Sequence, residues 1–145
     1  KDLTDFCQLR LNRPTARLRE SQLIRLFASS CIDVSDGLLQ DLSHILEQSD
    51  KAKGARLDLS EIPLSTALQS IEPKKALGFA LSGGDDYELL FTIPKDVEAK
   101  FLEQSETSGF QFTRIGIISS DEGICDINNK QISAKGYNHF YEQKS

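Results

Sequence analysis

The sequence predicts a layered α/β domain. Short runs of β-prone, apolar residues alternate with stretches of helical periodicity, and polar clusters rich in glycine, serine and aspartate separate them. At 145 residues the chain suits one domain, residues 1–145, and can bury a sizeable core. Neither an internal repeat nor a low-complexity linker marks a boundary within it.

The opening residues, KDLTDFCQLR, read as the end of a helix or a connector, and methionine is absent throughout. Both features lead us to expect a fragment of a longer protein. After a break at Pro14, Leu23, Ile24 and Phe27 fall at core spacing and predict a helix over 21–28. The segment CIDV, 31–34, is of strand type. Leu38, Leu39, Leu42, Ile45 and Leu46 then recur at helical spacing and predict a helix over 36–48.

In KGARLDLS, alternation predicts a half-buried strand with Ala55, Leu57 and Leu59 inward and Arg56 and Asp58 outward, ended by Pro63. Short helices are expected over 65–70 and 73–79, before the glycine turn LSGGDD. YELLFTIP is nearly continuous in apolar and β-prone residues, as in a central strand covered on both faces. Pro94 is placed to open a helix with Val97, Phe101 and Leu102 on its apolar side. FTRIGIIS and GICDIN read as two strands joined by the turn SDEG, and the polar, aromatic tail ISAKGYNHFYEQKS has no clear pattern.

With 22 acidic and 17 basic residues the net charge is −5, and no basic block stands out, which argues against nucleic acid as a partner. No apolar run approaches the roughly 20 residues of a membrane helix, and the first residues lack a signal-peptide core, so a soluble, unexported protein is expected. Cys7, Cys31 and Cys125 are odd in number and widely spaced, which suits a reducing compartment. None has the context of a zinc ligand or nucleophile, and Cys31 reads as a small apolar residue within its strand.

Two clusters carry candidate chemistry. In the first, Ser35 or Asp36 can cap the following helix, worth about 1 kcal/mol. Asp33 has no such explanation: it interrupts an apolar strand, shares a face with Ser35, and is followed closely by Asp36. Two carboxylates and a hydroxyl at the carboxyl end of a strand suit a hard cation such as Mg²⁺. Metal site and cap-plus-turn are both compatible with this pattern.

In the second cluster, SGGDDYELL, Gly83 and Gly84 allow positive φ in a tight turn whose Asp85 and Asp86 are solvated. Alternatively, the glycines let the backbone approach a ligand that the acids orient. Glu88, inside the apolar run, calls for a partner that spacing does not identify. His44, three residues after Asp41, reads as half of a solvated surface pair, and His139 as a packing residue among aromatics. No nucleophile elbow and no phosphate-binding GxxxxGK[ST] loop occurs.

The segments IDVSDGLLQDLSHI, LSGGDDYELLFTIP and KGYNHF, with LNRPTARL upstream, resemble in order and spacing the thiamine-monophosphate kinase family. The Asp-x-Ser-Asp-Gly element also recurs in sibling families, including aminoimidazole ribonucleotide synthetase. The resemblance implies an α+β fold, a three-layer α/β/α carboxy-terminal domain with a mixed sheet. It also implies ATP-dependent phosphorylation of thiamine monophosphate to thiamine diphosphate in the cytoplasm. The amino-terminal ATP-binding domain, through which such enzymes form homodimers, would precede Lys1, and this chain would be inactive alone.

By the same resemblance Asp33 and Asp36 match Mg²⁺ ligands, Ser35 an ATP contact, and Asp85 and Phe140 substrate contacts. Two positions depart from the family pattern. Asp85 stands where glutamate is common, shortening reach by about 1.5 Å, and Asn138 stands where aspartate is common. An aromatic such as Phe140 or Tyr137 stacking on a cationic thiazolium would contribute about 0.5 to 2 kcal/mol. Two further readings stay open: a non-catalytic binding module of the same fold, and a sibling ATP-dependent enzyme.

Overall fold

The computed structural model describes residues 3–50 and 53–132. In chain order the elements are α1 (Leu3–Asn12), α2 (Leu18–Ile24), β1 (Ser30–Asp33), α3 (Leu38–Glu47), β2 (Gly54–Leu57), α4 (Thr66–Gln69), α5 (Pro73–Ser82), β3 (Leu89–Thr92), α6 (Glu98–Ser108), β4 (Gly116–Ser119) and β5 (Gly123–Asp126). The expected alternation of helix and strand is present, and α2 begins three residues earlier than its apolar spacing suggested. The tail after Ile132, with Tyr137, Asn138, His139 and Phe140, lies outside the described residues.

The core is organised around α3. Its Leu38, Leu39, Leu42 and Leu46 pack with Val34, Ala55, Leu57, Ile62, Leu81, Leu90, Ile124 and Ile132. Burying each such leucine contributes about 1.5 to 3 kcal/mol, so this helix is the frame on which the preceding turn is hung. A second apolar group is aromatic. Phe101 of α6 meets Phe27 and Phe91 edge to face, both at 5.7 Å between ring centres, and Phe112 at 5.0 Å. Leu102, assigned to the same apolar side, is instead exposed.

Among the described residues the strands form two sheets. β1 pairs antiparallel with β3, Ser30 opposite Thr92 and Asp33 opposite Leu89. The other sheet is mixed and runs β4-β2-β5, with β4 antiparallel and β5 parallel to β2. One expectation is corrected here. The 87–94 segment is not a central strand covered on both faces: among the described residues β3 has one partner, and of its own residues only Leu90 is buried.

The strands on either side of the SDEG turn do not pair with each other, because β2 lies between them. The turn crosses the start of β2, where Lys53 N donates to Ser119 O and Gly123 N donates to Lys53 O, each at 3.2 Å. Gly54 stands under that crossing, and a Cβ there would collide with the backbone of Asp121 and Gly123.

Candidate functional site

Strand β1 ends at Asp33, and helix α3 begins at Leu38 with Gly37 as its N-cap at φ +110. No side chain caps this helix, so neither Ser35 nor Asp36 has the capping role that their positions allowed. The helix instead reaches back to the turn: Asp41 Oδ2 accepts hydrogen bonds from Ser35 N at 2.9 Å and Asp36 N at 3.1 Å. Asp41 is 1% exposed, not the surface residue its charge suggested. Asp33 and Asp36 are exposed, and among the described residues Asp33, Ser35 and Asp36 have no side-chain hydrogen bond or ion pair.

The second cluster lies directly beside the first. Asp85 N donates to Ser35 O at 3.0 Å, Tyr87 N to Val34 O at 2.9 Å, and Val34 N to Glu88 O at 2.8 Å. These bonds extend the β1–β3 pairing into two loops that share a backbone edge. The glycines serve close approach rather than positive φ. A Cβ on Gly83 would lie 2.5 Å from Phe79 O, and one on Gly84 would lie 2.5 Å from Ser35 O. The left-handed residues are Asp85 at φ 63 and Tyr87 at φ 53.

The charges of the second loop are coupled. Tyr87 Oη donates to Asp85 Oδ1 at 3.0 Å, and that bond, with the nearby Asp85 and Asp33 charges, raises the phenol pKa. Loss of hydration, together with Glu88 and Asp85, pushes the Asp86 carboxyl above its usual range against the opposing pull of Arg10. Glu88 is half exposed rather than buried in the strand, and it has partners. Arg17 Nε donates to its Oε2 at 2.8 Å and Arg17 Nη2 to its Oε1, while Arg10 Nη2 reaches Oε1 at 3.1 Å. Arg10 also contacts Asp86 O at 3.4 Å.

Asp33, Ser35, Asp36 and Asp85 thus stand on two joined loops, whereas Phe140 lies outside the described residues. Ligand atoms of Asp36, Asp41 and His44 fall within 4.8 Å of one another, a grouping that does not include Asp33. His44 is exposed, as expected, but its near neighbour is Glu47, with Nδ1 to Oε2 at 3.9 Å. Two features were missed in the sequence. Asp41 had a readable signal, a charge at helical spacing within the stripe formed by Leu38, Leu42 and Ile45. Arg10 and Arg17 had none, being more than 70 residues from Glu88 in the chain.

Cys31 is corrected as well: it is exposed, on the same face of β1 as Asp33. Loss of hydration, with a further contribution from Asp33, raises its thiol pKa, which argues against a nucleophilic role. Cys31 lines a cleft of about 600 Å³ at the amino end of β1, together with Ile32, His44, Ile45, Thr92 and Ile93. That cleft does not include the acidic turn. Among the described residues no helix is long and apolar enough to cross a membrane.

No protein-family model matches the chain. Thiamine-monophosphate kinase of Escherichia coli (strain K12) is 43% identical over 141 residues, covering 94% of this chain and 43% of the enzyme. The Aquifex aeolicus thiamine-monophosphate kinase is 34% identical over 133 residues, 88% of this chain and 39% of that protein. Among solved structures, thiamine-monophosphate kinase from Stenotrophomonas maltophilia K279a superposes with a TM-score of 0.78 at 37% identity, covering 91% of this chain and 42% of that one. AaThiL complexed with AMPPCP and TMP gives 0.74 at 30% identity, covering 97% and 43%. The chain therefore spans less than half the length of the curated relatives it matches. By sequence and by fold it is a relative of the thiamine-monophosphate kinases.

Proposed function

We propose that this chain is the carboxy-terminal domain of a thiamine-monophosphate kinase that transfers a phosphoryl group from ATP to thiamine monophosphate. The observation that carries this reading is the joined pair of loops. Among the described residues the side chains of Asp33, at the end of β1, and of Ser35 and Asp36, in the loop after it, have no capping or pairing duty, and Asp85 stands on the other loop, its backbone bonded to Ser35. The relative AaThiL, complexed with AMPPCP and TMP, supports the choice of nucleotide and acceptor.

In this reading Asp33 and Asp36 hold Mg²⁺, Ser35 contacts ATP, and Asp85 and Phe140 contact thiamine monophosphate. The donor set fits a hard divalent cation: both carboxylates are exposed oxygen donors, and no arginine or lysine pairs with either among the described residues. A bound Mg²⁺ would screen phosphate charge during an in-line transfer. The acceptor is a phosphate with a second pKa of about 6, largely ionised at neutral pH, so the chain need not supply a strong base. The task left to its residues is to orient two anions, and fixed loops suit that task.

The same reading places the nucleotide-binding remainder and the homodimer contact in an amino-terminal domain, the enzyme in the cytoplasm, and no activity in this chain alone. The test is Asp33→Asn in the full-length enzyme. Turnover should fall by about two orders of magnitude or more with folding intact. Near-normal turnover at saturating Mg²⁺ would remove the ligand role. Thermal stabilisation by thiamine phosphates with Mg²⁺, set against aminoimidazole ribonucleotide precursors, distinguishes this substrate class from that of a sibling enzyme.

A further inference from the structure

Asp41 has no part in the function just described, yet it is the most deeply buried charged side chain among the described residues, at 1% exposure. A carboxylate in that position is costly unless hydrogen bonds replace its water. Its Oδ2 takes two donors at once, Ser35 N at 2.9 Å and Asp36 N at 3.1 Å. A side chain in the first turn of α3 thereby holds the backbone that precedes the helix. Gly37, at φ +110 and with Ser82 against it, is the bend that lets the chain fold back. With its amides turned onto Asp41, the turn leaves the side chains of Asp33 and Asp36 exposed.

We propose that Asp41 is a positioning residue for the divalent-ion site, an internal anchor that fixes the backbone of residues 35 and 36 and so the approach of the Asp33 and Asp36 carboxylates. This rests on the metal role proposed above. Anchoring by a carboxylate also places a second negative charge behind Asp36, with ligand atoms of the two within 4.8 Å. The anchor therefore adds to the attraction for a cation as well as to the geometry.

The first measurement needs no variant and no ion. In this chain the amide protons of Ser35 and Asp36 should exchange with solvent far more slowly than those of an exposed turn. Exchange at the rate of exposed turn amides would overturn the proposal. In the second, Asp41→Asn keeps an acceptor of the same shape and removes the charge. Exchange at 35 and 36 should quicken by about tenfold or more while Leu42 and Leu46 in the core keep their protection.

In the full-length enzyme, the Mg²⁺ concentration giving half-maximal rate should rise about 10- to 100-fold, with a smaller change in KM for thiamine monophosphate. A purely structural role predicts loss of stability without this selective Mg²⁺ effect, and that result would also overturn the proposal. Asp33→Asn separates the two ideas. It should leave the amide protection at 35 and 36 untouched, so an unchanged Mg²⁺ response in that variant refutes the metal reading. The exchange data still judge the anchor.

Discussion

The two loops of the candidate site are held in opposite ways. Residues 33–37 are fixed from within: a buried carboxylate takes the amides of Ser35 and Asp36, and the helix carrying it is packed into the core through four leucines. Residues 83–88 are fixed from outside, by arginines of α1 and the following connector gripping a half-exposed Glu88. Their own backbone is left-handed at Asp85 and Tyr87. Buried charge-assisted hydrogen bonds are little affected by salt and costly to lose, whereas exposed ion pairs are weak and screened. The proposed ion-binding side is therefore rigid, and the proposed acceptor side is adjustable.

The largest effect should come from removing the inner anchor. Asp41→Ala leaves two amides without a partner and should cost about 2 to 5 kcal/mol, read as a shift in the denaturation midpoint. A cost below about 1 kcal/mol would mean that the two loops are held with similar strength after all. Next is the seam between them. Gly84→Ala puts a Cβ 2.5 Å from Ser35 O, a backbone atom that cannot step aside alone. Opening the seam should cost about 1 to 3 kcal/mol, and shifts of the 34 and 35 resonances along with 84–88 would show that the loops move together.

The outer clamp should matter less to stability. Arg17→Gln should cost no more than about 1 kcal/mol, with the difference fading in high salt. A double-mutant cycle with Glu88→Gln isolates the pair from its surroundings. The smallest effect is that of Asp86. Its carboxyl is raised in the folded state, so folding favours the protonated form and ionisation opposes folding. The penalty is absent below the ordinary aspartate pKa and grows as pH rises through the raised value. Asp86→Asn should therefore raise the melting temperature slightly at neutral pH, and the gain should vanish as pH falls below the carboxylate range.

Much of this was legible beforehand where the physics is local. The apolar stripe of α3, the break at Pro14, Pro73 at the start of α5 and the alternation in β2 each depend on neighbours a few residues away. The misreadings share a cause. Gly83 and Gly84 were read as permitting positive φ or the approach of a ligand, because a list of neighbours in the chain does not show Phe79 O and Ser35 O pressing on them. β4 and β5 are joined by the SDEG turn as read, but nothing local shows that β2, about 60 residues earlier, lies between them. Asp36 and Ser35 were given a capping alternative because their position permits one; the structure instead caps the turn itself, through Asp41.

Residue order alone determined which residues could do chemistry here: acids and a hydroxyl where a strand meets a helix, and a glycine-rich acidic turn some fifty residues later, because periodicity and turn preference are short-range properties. Only the tertiary structure decided that the two clusters are one place. Their union depends on the pairing of β1 with β3 and on the hydrogen bonds that continue it, and such long-range contacts have no local signature. It also decided which charge is buried, since burial is settled by what packs against a side chain.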